Sequence, residues 1–367
     1  MKILQVIATA GRTGAESVVL SLSAGLREQG VDCSVLCFGT GVFIDDLRNA
    51  GVPCTVMPVR SKFDVGSIMR LRAYLQAEQI DVVHTHGPRA MFLANPAARL
   101  AGVPVVTTFH EFSNTKAYET RLYRLYEFIE RLLSRYATDH LIAISEAIRD
   151  DALRVRHIPA AKLTRIYNPV STQQFGRIDD QAAVAAFRRQ MGIPPATLLI
   201  GAVGRLTPMK GHRVLIDAFP SIQQAFPQAR LLIVGAGPLE SELRAQAQAL
   251  GIDVLFPGVV TEMKLLYNAL DVLVHPSLDE PFGLVVLEAI ACGVPVVATA
   301  VGGLTEIANL SLYHRIVAPE NVQALAEAVR SLLHENPPRA PASNLEALFS
   351  AEAVAQQHLA IYRSVQR

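Results

Sequence analysis

Four cysteines in 367 residues, Cys33, Cys37, Cys54 and Cys292, form no Cys-x-x-Cys pair. That excludes a disulfide scaffold and a zinc ribbon, and their apolar settings predict buried, reduced thiols in a cytoplasmic chain. Neither sign of charge prevails: 34 Lys and Arg face 33 Asp and Glu. The broad basic surface of a nucleic-acid binder is therefore missing. Residues 1–177 hold 21 basic and 16 acidic side chains and residues 178–367 hold 13 and 17, so the halves carry +5 and −4. Ordinary surface variation and a loose contact of the first half with an anionic membrane both fit that imbalance. The nearly charge-free run from Leu284 to Leu304 could span a bilayer by length, but Gly293, Pro295, Gly302 and Gly303 cut it into helix, turn, strand and turn. Lys2 and Ala8-Thr9-Ala10 imitate a signal peptide around an apolar run that is too short for one. There is no GxxxxGK[ST] loop, and Gly235-Ala236-Gly237-Pro238 lacks the third glycine of a dinucleotide turn, so hydride chemistry has no support. Low-complexity tracts and tandem repeats are missing too.

What is present is an apolar content of 50% with 18% charge, enough for two buried cores. Short apolar runs alternate with amphipathic stretches closed by glycine. Strands are predicted at 2–8, 32–38, 53–57, 80–84, 104–109, 140–144 and 163–167, with helices at 15–29, 64–79, 89–101 and 115–136. Asn168-Pro169-Val170 interrupts the beat, which places a hinge at about 168–195. The alternation resumes with strands at 198–203, 230–234, 254–255 and 272–275, and helices at 210–226, up to 250, up to 270 and 284–292. The fold class is α/β: two doubly wound, Rossmann-like domains, 1–170 and 171–343, facing each other across a cleft. Pro337, Pro338 and Pro341 set off a final helix within 344–367.

The most informative segment is Glu280-Pro281-Phe282-Gly283-Leu284-Val285-Val286-Leu287-Glu288. Pro281 and Gly283 delay the helix, so Glu280 belongs to a loop and Glu288 lies about a turn inside. The first N–H groups of that helix lack backbone partners and carry the positive dipole end, which makes an anion site beside two carboxylates. An anion and several hydroxyls at one point suggest a sugar phosphate. Glu288 sits in an apolar run, where an ionised carboxylate needs hydrogen-bond donors such as ribose or sugar hydroxyls.

Gly204-Arg205-Leu206-Thr207-Pro208-Met209-Lys210-Gly211 joins a strand to a helix and offers two cations that suit a diphosphate. Alone, Arg205 and Lys210 also read as solvated surface charges; the two glutamates after a later strand favour the anion site. Gly11 and Gly14 flank the first strand-to-helix loop and admit either a bound group or a bare tight turn. His110 ends an apolar strand and should face the cleft, as a structural hydrogen-bonding group or a site residue. His84 and His86 share one strand face without a third metal ligand nearby. From Phe112 to Tyr136, basic residues alternate with Tyr118, Tyr123, Tyr126 and Phe128, a pattern that fits a membrane-surface helix and equally one packing its aromatics on the sheet.

Arg205, Lys210, Glu280 and Glu288, with Phe282-Gly283-Leu284 between the glutamates and Gly302-Gly303-Leu304-Thr305-Glu306 after them, closely resemble the GT-B retaining glycosyltransferases of family 4. The likeness runs from Met1 to about Val329. It implies an acceptor-binding first domain, a nucleotide-sugar-binding second domain and a C-terminal helix returning to the first. It also implies a hexosyltransferase-type enzyme that needs no cofactor or metal and takes a nucleotide diphosphate sugar, UDP-linked in preference to GDP-linked, as donor. No Asp-x-Asp, the metal-binding mark of a different sugar-transfer fold, occurs. Arg205 and Lys210 would hold the diphosphate, Glu288 the ribose hydroxyls and Glu280 the transferred sugar, while the amides of Phe282, Gly283 and Leu284 would meet the phosphate. His110 would approach the reacting centre, and Gly14, where the family often has a glycine pair, would contact phosphate or acceptor. The implied acceptor is a saccharide or lipid-linked intermediate of cell-surface polysaccharide or glycolipid synthesis, handled in the cytoplasm or at the inner face of the plasma membrane. A sugar-nucleotide epimerase or hydrolase and a non-catalytic sugar-nucleotide sensor are the rival readings.

Overall fold

An apolar run such as Leu198–Val203 has no polar face, and a strand of that kind is stable only when helices cover both sides of its sheet. The computed structural model describes residues 1–11, 14–60, 64–112, 121–171 and 174–366, and builds two parallel sheets from such runs. Arg12, Thr13, Lys116, Tyr118 and Glu119, and the side chains of Arg121, Tyr123 and Arg124, lie outside what is described.

The first unit comprises Met1–Ser171 and Glu346–Arg367. Its strands are β1 (Lys2–Ile7), β2 (Asp32–Cys37), β3 (Cys54–Val56), β4 (Val82–His86), β5 (Val105–Phe109), β6 (His140–Ala143) and β7 (Leu163–Arg165), in the spatial order β3-β2-β1-β4-β5-β6-β7. The order reverses between β1 and β4, where Gln5 lies opposite His84 and Ile7 opposite His86. The second unit, Thr172–Leu345, contains β8 (Leu198–Val203), β9 (Ala229–Val234), β10 (Val254–Gly258), β11 (Val272–His275), β12 (Val296–Thr299) and β13 (His314–Val317). Its order is β10-β9-β8-β11-β12-β13, so the reversal falls between β8 and β11. At such a reversal the two following loops diverge and leave a crevice at the carboxyl ends of the strands.

Most expected elements stand within two residues of their predicted bounds. The stretch 168–195, read as an irregular hinge, instead contains the helix Gln181–Gln190, whose Asp180 cap accepts from the amides of Ala182 and Ala183 at 3.0 and 3.2 Å. Only Val184 and Phe187 are buried there, too few apolar positions to announce a helix by periodicity. Four further helices, Val42–Asn49, Glu146–Arg154, Leu304–Ala308 and Val322–Glu335, and the strand β13 are additions to those predicted. The expected single C-terminal helix is broken into Leu345–Phe349 and Ala351–Val365, because Ser350 turns out of the helix and caps Ala353 at 3.1 Å.

The helix Ala351–Val365 is part of the first unit. Val354, Ala355, Leu359 and the fully buried Tyr362 complete a core with Ile3, Leu22, Leu26 and Val82. Gly25 makes the approach possible: a Cβ there would stand 2.5 Å from the carbonyl oxygen of Ala351. Gly25→Val should therefore cost about 2 kcal/mol, as overpacking of a tight contact does. Thermal melting checks this, and an unchanged midpoint would show that the contact is slack.

Candidate active site

In the second unit the sheet reversal brings three loops together. The loop after β8 ends in the short turn Pro208–Lys210 and in Gly211 at φ 64°, where any side chain would collide with the carbonyl of Pro276. The loop after β11 is tied to it by the amide of Leu278 bonding Met209 at 2.8 Å. The third, after β12, is tied to the second by the amide of Gly303 bonding the carbonyl of Glu280 at 3.0 Å.

These ties place Lys210 against Glu280. Lys210 Nζ donates to Glu280 Oε2 at 2.5 Å, and His275 Nε2, at the end of β11, meets the same oxygen at 2.8 Å. Ser277 Oγ lies 3.1 Å from that ring nitrogen. The Glu280 side chain is 11% exposed, and burial by itself would raise its pKa. The hydrogen bond and charge of His275, with the charge of Lys210, outweigh burial and hold the carboxyl at about 2. Glu280 is thus an anion at any working pH. Among the described residues its two side-chain donors both use Oε2, which leaves Oε1 to accept from a ligand hydroxyl.

Glu288 behaves differently. It lies in the helix Leu284–Ala291, one turn from the N-terminus, and its Oε2 accepts from the Tyr267 hydroxyl at 2.6 Å. Burial pushes its pKa from 4.5 up to about 7, with the Tyr267 bond opposing. Phe282 is buried, Gly283 occupies the N-cap at φ 100°, and Leu284 is the first helical residue. No side chain caps this helix, so its leading amides remain suited to an anion. Arg205 stands exposed with no ion pair among the described residues; the structure does not join it to the Lys210–Glu280 network.

In the first unit, Gly14 is the exposed first residue of the helix Gly14–Glu28. A cavity of about 600 Å³ opens at the ends of β1 and β2, lined by Thr9, Gly11, Glu16, Phe38, Thr40 and Arg89 among others. Glu16 accepts from the Thr9 hydroxyl at 2.5 Å. His110, just past β5, has its Nε2 3.0 Å from His86 Nδ1. Its pKa is lowered to about 4 by burial, against the pull of the Glu16 carboxylate, so the ring is neutral near pH 7. No group of three or more His, Cys, Asp or Glu among the described residues is disposed to hold a metal ion.

The Glycosyltransferase Family 4 profile matches residues 12–174, and the Glycosyl transferases group 1 profile matches residues 184–345. An uncharacterized glycosyltransferase of Methanocaldococcus jannaschii, MJ1607, is 31% identical over 270 residues, covering 71% of this chain and 68% of that protein. The chain belongs to the family 4 glycosyltransferases. The phosphatidyl-myo-inositol mannosyltransferase of Mycobacterium leprae is 28% identical over 370 residues, 96% of this chain and 93% of that one. Anabaena Alr3699/HepE, solved in complex with UDP and glucose, has a TM-score of 0.86 at 25% identity over 99% of this chain and 100% of its own. This glycosyltransferase therefore has the GT-B fold that its sequence motifs imply.

The sequence reading found both glutamates and Lys210 but not their partners. His275 could have been noticed as a polar residue closing an otherwise apolar strand; Tyr267 sits mid-helix and gave no signal. The pKa of Glu288 has a measurable consequence. A carboxyl raised on folding contributes stability in full below its unfolded value of 4.5, and the contribution is lost as pH rises through about 7. Glu288→Gln should thus be increasingly more stable than the parent between about pH 5 and about pH 8. A melting-temperature difference that stays constant over that range would contradict the assignment.

Proposed function

We propose that this glycosyltransferase is a retaining hexosyltransferase that moves a sugar from a nucleoside diphosphate donor, UDP-linked in preference to GDP-linked, to an acceptor hydroxyl without a metal ion. The observation that carries the reading is the buried Lys210–Glu280–His275 network at the sheet reversal, beside an uncapped helix N-terminus. In this reading Lys210, Arg205 and the amides of Phe282, Gly283 and Leu284 hold the diphosphate. Their positive charge performs the neutralisation that a divalent cation performs elsewhere. Glu288, oriented by Tyr267, accepts from ribose hydroxyls, and Glu280 accepts from the transferred sugar through its open Oε1.

The bond between the anomeric carbon and the diphosphate oxygen breaks, and the acceptor oxygen bonds to that carbon on the same face. The acceptor proton passes to the leaving phosphate. His110, with a pKa of about 4, is too weak a base to take that proton near pH 7 and serves as a neutral hydrogen-bonding group at the sugar. The UDP preference draws on the Anabaena relative, solved with UDP and glucose. Gly14 and the cavity beside Thr9 and Arg89 suit a polar acceptor.

The name of the Mycobacterium leprae relative, a phosphatidyl-myo-inositol mannosyltransferase, supports a lipid-linked acceptor and a role in glycolipid or polysaccharide synthesis at the cytoplasmic membrane face. No described helix is long and apolar enough to cross a membrane. The helix Arg121–Tyr136 nonetheless exposes Leu125, Phe128, Leu132 and Tyr136, each between 41% and 68% accessible, with Arg131 and Arg135 alongside. Tyr126 turns the other way and stacks on Phe92, with ring centroids 4.3 Å apart. An apolar stripe with cations at its border fits the headgroup region of an anionic bilayer.

The deciding experiment incubates the protein with a panel of nucleotide sugars and follows thermal shift and nucleotide release, with and without acceptors. A shift with one UDP-sugar and release that acceptor accelerates is expected. Fast conversion without acceptor would indicate an epimerase or hydrolase, and a shift with no turnover a sensor. Lys210→Ala and Arg205→Ala should each lower turnover about a hundredfold, as loss of a preorganised charge contact does. Undiminished turnover in both would remove them from the site. Phe128→Ser and Leu132→Ser should each weaken flotation with anionic vesicles about tenfold, given the apolar area each would bury; parental binding by the double variant would eliminate the stripe as a membrane contact.

A further inference from the structure

His84, His86 and His358 are buried together in the first unit with the half-buried His110 against them, and the sugar-transfer chemistry proposed above uses only His110. His84 and His86 lie on one face of β4 with ring centroids 4.2 Å apart; His110 follows β5, and His358 comes from the C-terminal helix. All four have pKa values lowered by burial, so the cluster is uncharged near pH 7. In a neutral imidazole one nitrogen donates and the other accepts, and the partner of one nitrogen decides the state of the other.

The chain of partners begins at Gln5 in β1. Its Nε2 points to Cys33 Sγ at 3.9 Å, which turns Oε1 to His86 Nε2 at 2.5 Å. An amide oxygen only accepts, so His86 carries its hydrogen on Nε2 and has a lone pair on Nδ1. That lone pair faces His110 Nε2 at 3.0 Å, and the hydrogen between them must then belong to His110. The remaining nitrogen of His110, Nδ1, is left with a lone pair. His84 packs against this relay and is itself fixed at both ends, by the Tyr362 hydroxyl at 2.6 Å and the Thr108 hydroxyl at 2.7 Å.

We infer that Gln5 and His86 are positioning residues that lock His110 as the Nε2–H tautomer, so that its Nδ1 accepts a hydrogen from a hydroxyl of the transferred sugar. The sugar contact rests on the function proposed above; the tautomer does not. The selectivity that follows is directional. On the function proposed above, a donor sugar would present an O–H to His110, and a deoxy or O-methyl sugar at that position would leave the Nδ1 lone pair without that partner.

The test uses the full chain labelled with 15N-histidine, at about pH 7.5, with His110→Ala and His86→Ala spectra to assign the two rings. Long-range proton–nitrogen correlation should show hydrogen on Nε2 and a lone pair on Nδ1 in both His86 and His110. Hydrogen on His110 Nδ1, the pattern that a reversed Gln5 amide would impose, overturns the inference, as does a doubly protonated His86. Gln5→Leu removes the first acceptor. It should give mixed tautomers at both rings and lower kcat about tenfold, the usual scale for an orienting partner, with KM for the donor nearly unchanged. A folded Gln5→Leu protein with the parental tautomers would strip Gln5 of this role. If the parent protein transfers no sugar at all while its tautomers are as stated, the proposed function fails and the relay stands.

Discussion

A carboxylate removed from water needs donors, and Glu280 meets that need with Lys210 and His275. The second unit is organised around that requirement. Lys210 reaches the carboxylate because Gly211 folds the loop after β8 back on Pro276, and His275 reaches it because β11 ends one step from the same crevice. The amide of Gly303 then fixes the backbone of Glu280 from the third loop. The Glu280 carboxylate would compete with a ligand anion for Lys210, and His275 would keep Glu280 hydrogen-bonded if Lys210 turned to that anion.

The first unit works on the opposite principle. Burial lowers the pKa of His84, His86, His110 and His358, and order among them comes from the direction of hydrogen bonds instead of the sign of charge. On the function proposed above, fixed charges would serve the leaving group and a neutral, directional contact the sugar. The buried Arg156 pairs with Glu130 of the outer helix Arg121–Tyr136 and with Asp151, and lies over the Phe109 ring at 4.1 Å. That pair accounts for the buried glutamate of a helix that presents leucines and a phenylalanine outward.

Much of this could be read in the chain itself because α/β architecture is written in local pattern. Alternating apolar runs and glycine-closed helices gave both sheets, and Pro281 with Gly283 gave the helix start that separates Glu280 from Glu288. The motifs around Arg205, Lys210 and the two glutamates pointed to the family. Pattern could not show which oxygen Lys210 would meet, or that Tyr267 would moderate Glu288, since such pairings depend on side chains brought together from distant segments. The helix Gln181–Gln190 was missed for a local reason: with two buried side chains it is amphipathic only in outline, and its Asp180 cap follows a proline-bearing irregular stretch. Phe128 shows the limit most clearly, because an aromatic in a helix has the same sequence signature whether it packs on a sheet or stands in solvent.

The Tyr362 hydroxyl touches His84 across 278 positions of sequence, and the whole second unit is made between them. On the ribosome, therefore, the first unit emerges early but must wait, its β4 face and its Ile3–Leu22–Leu26 core uncovered, until synthesis has passed through the second unit and supplied the helix Ala351–Val365. The second unit is contiguous and can close its core first. Order of translation and order of completion are thus reversed, and the interval between them is when this chain most needs protection from aggregation.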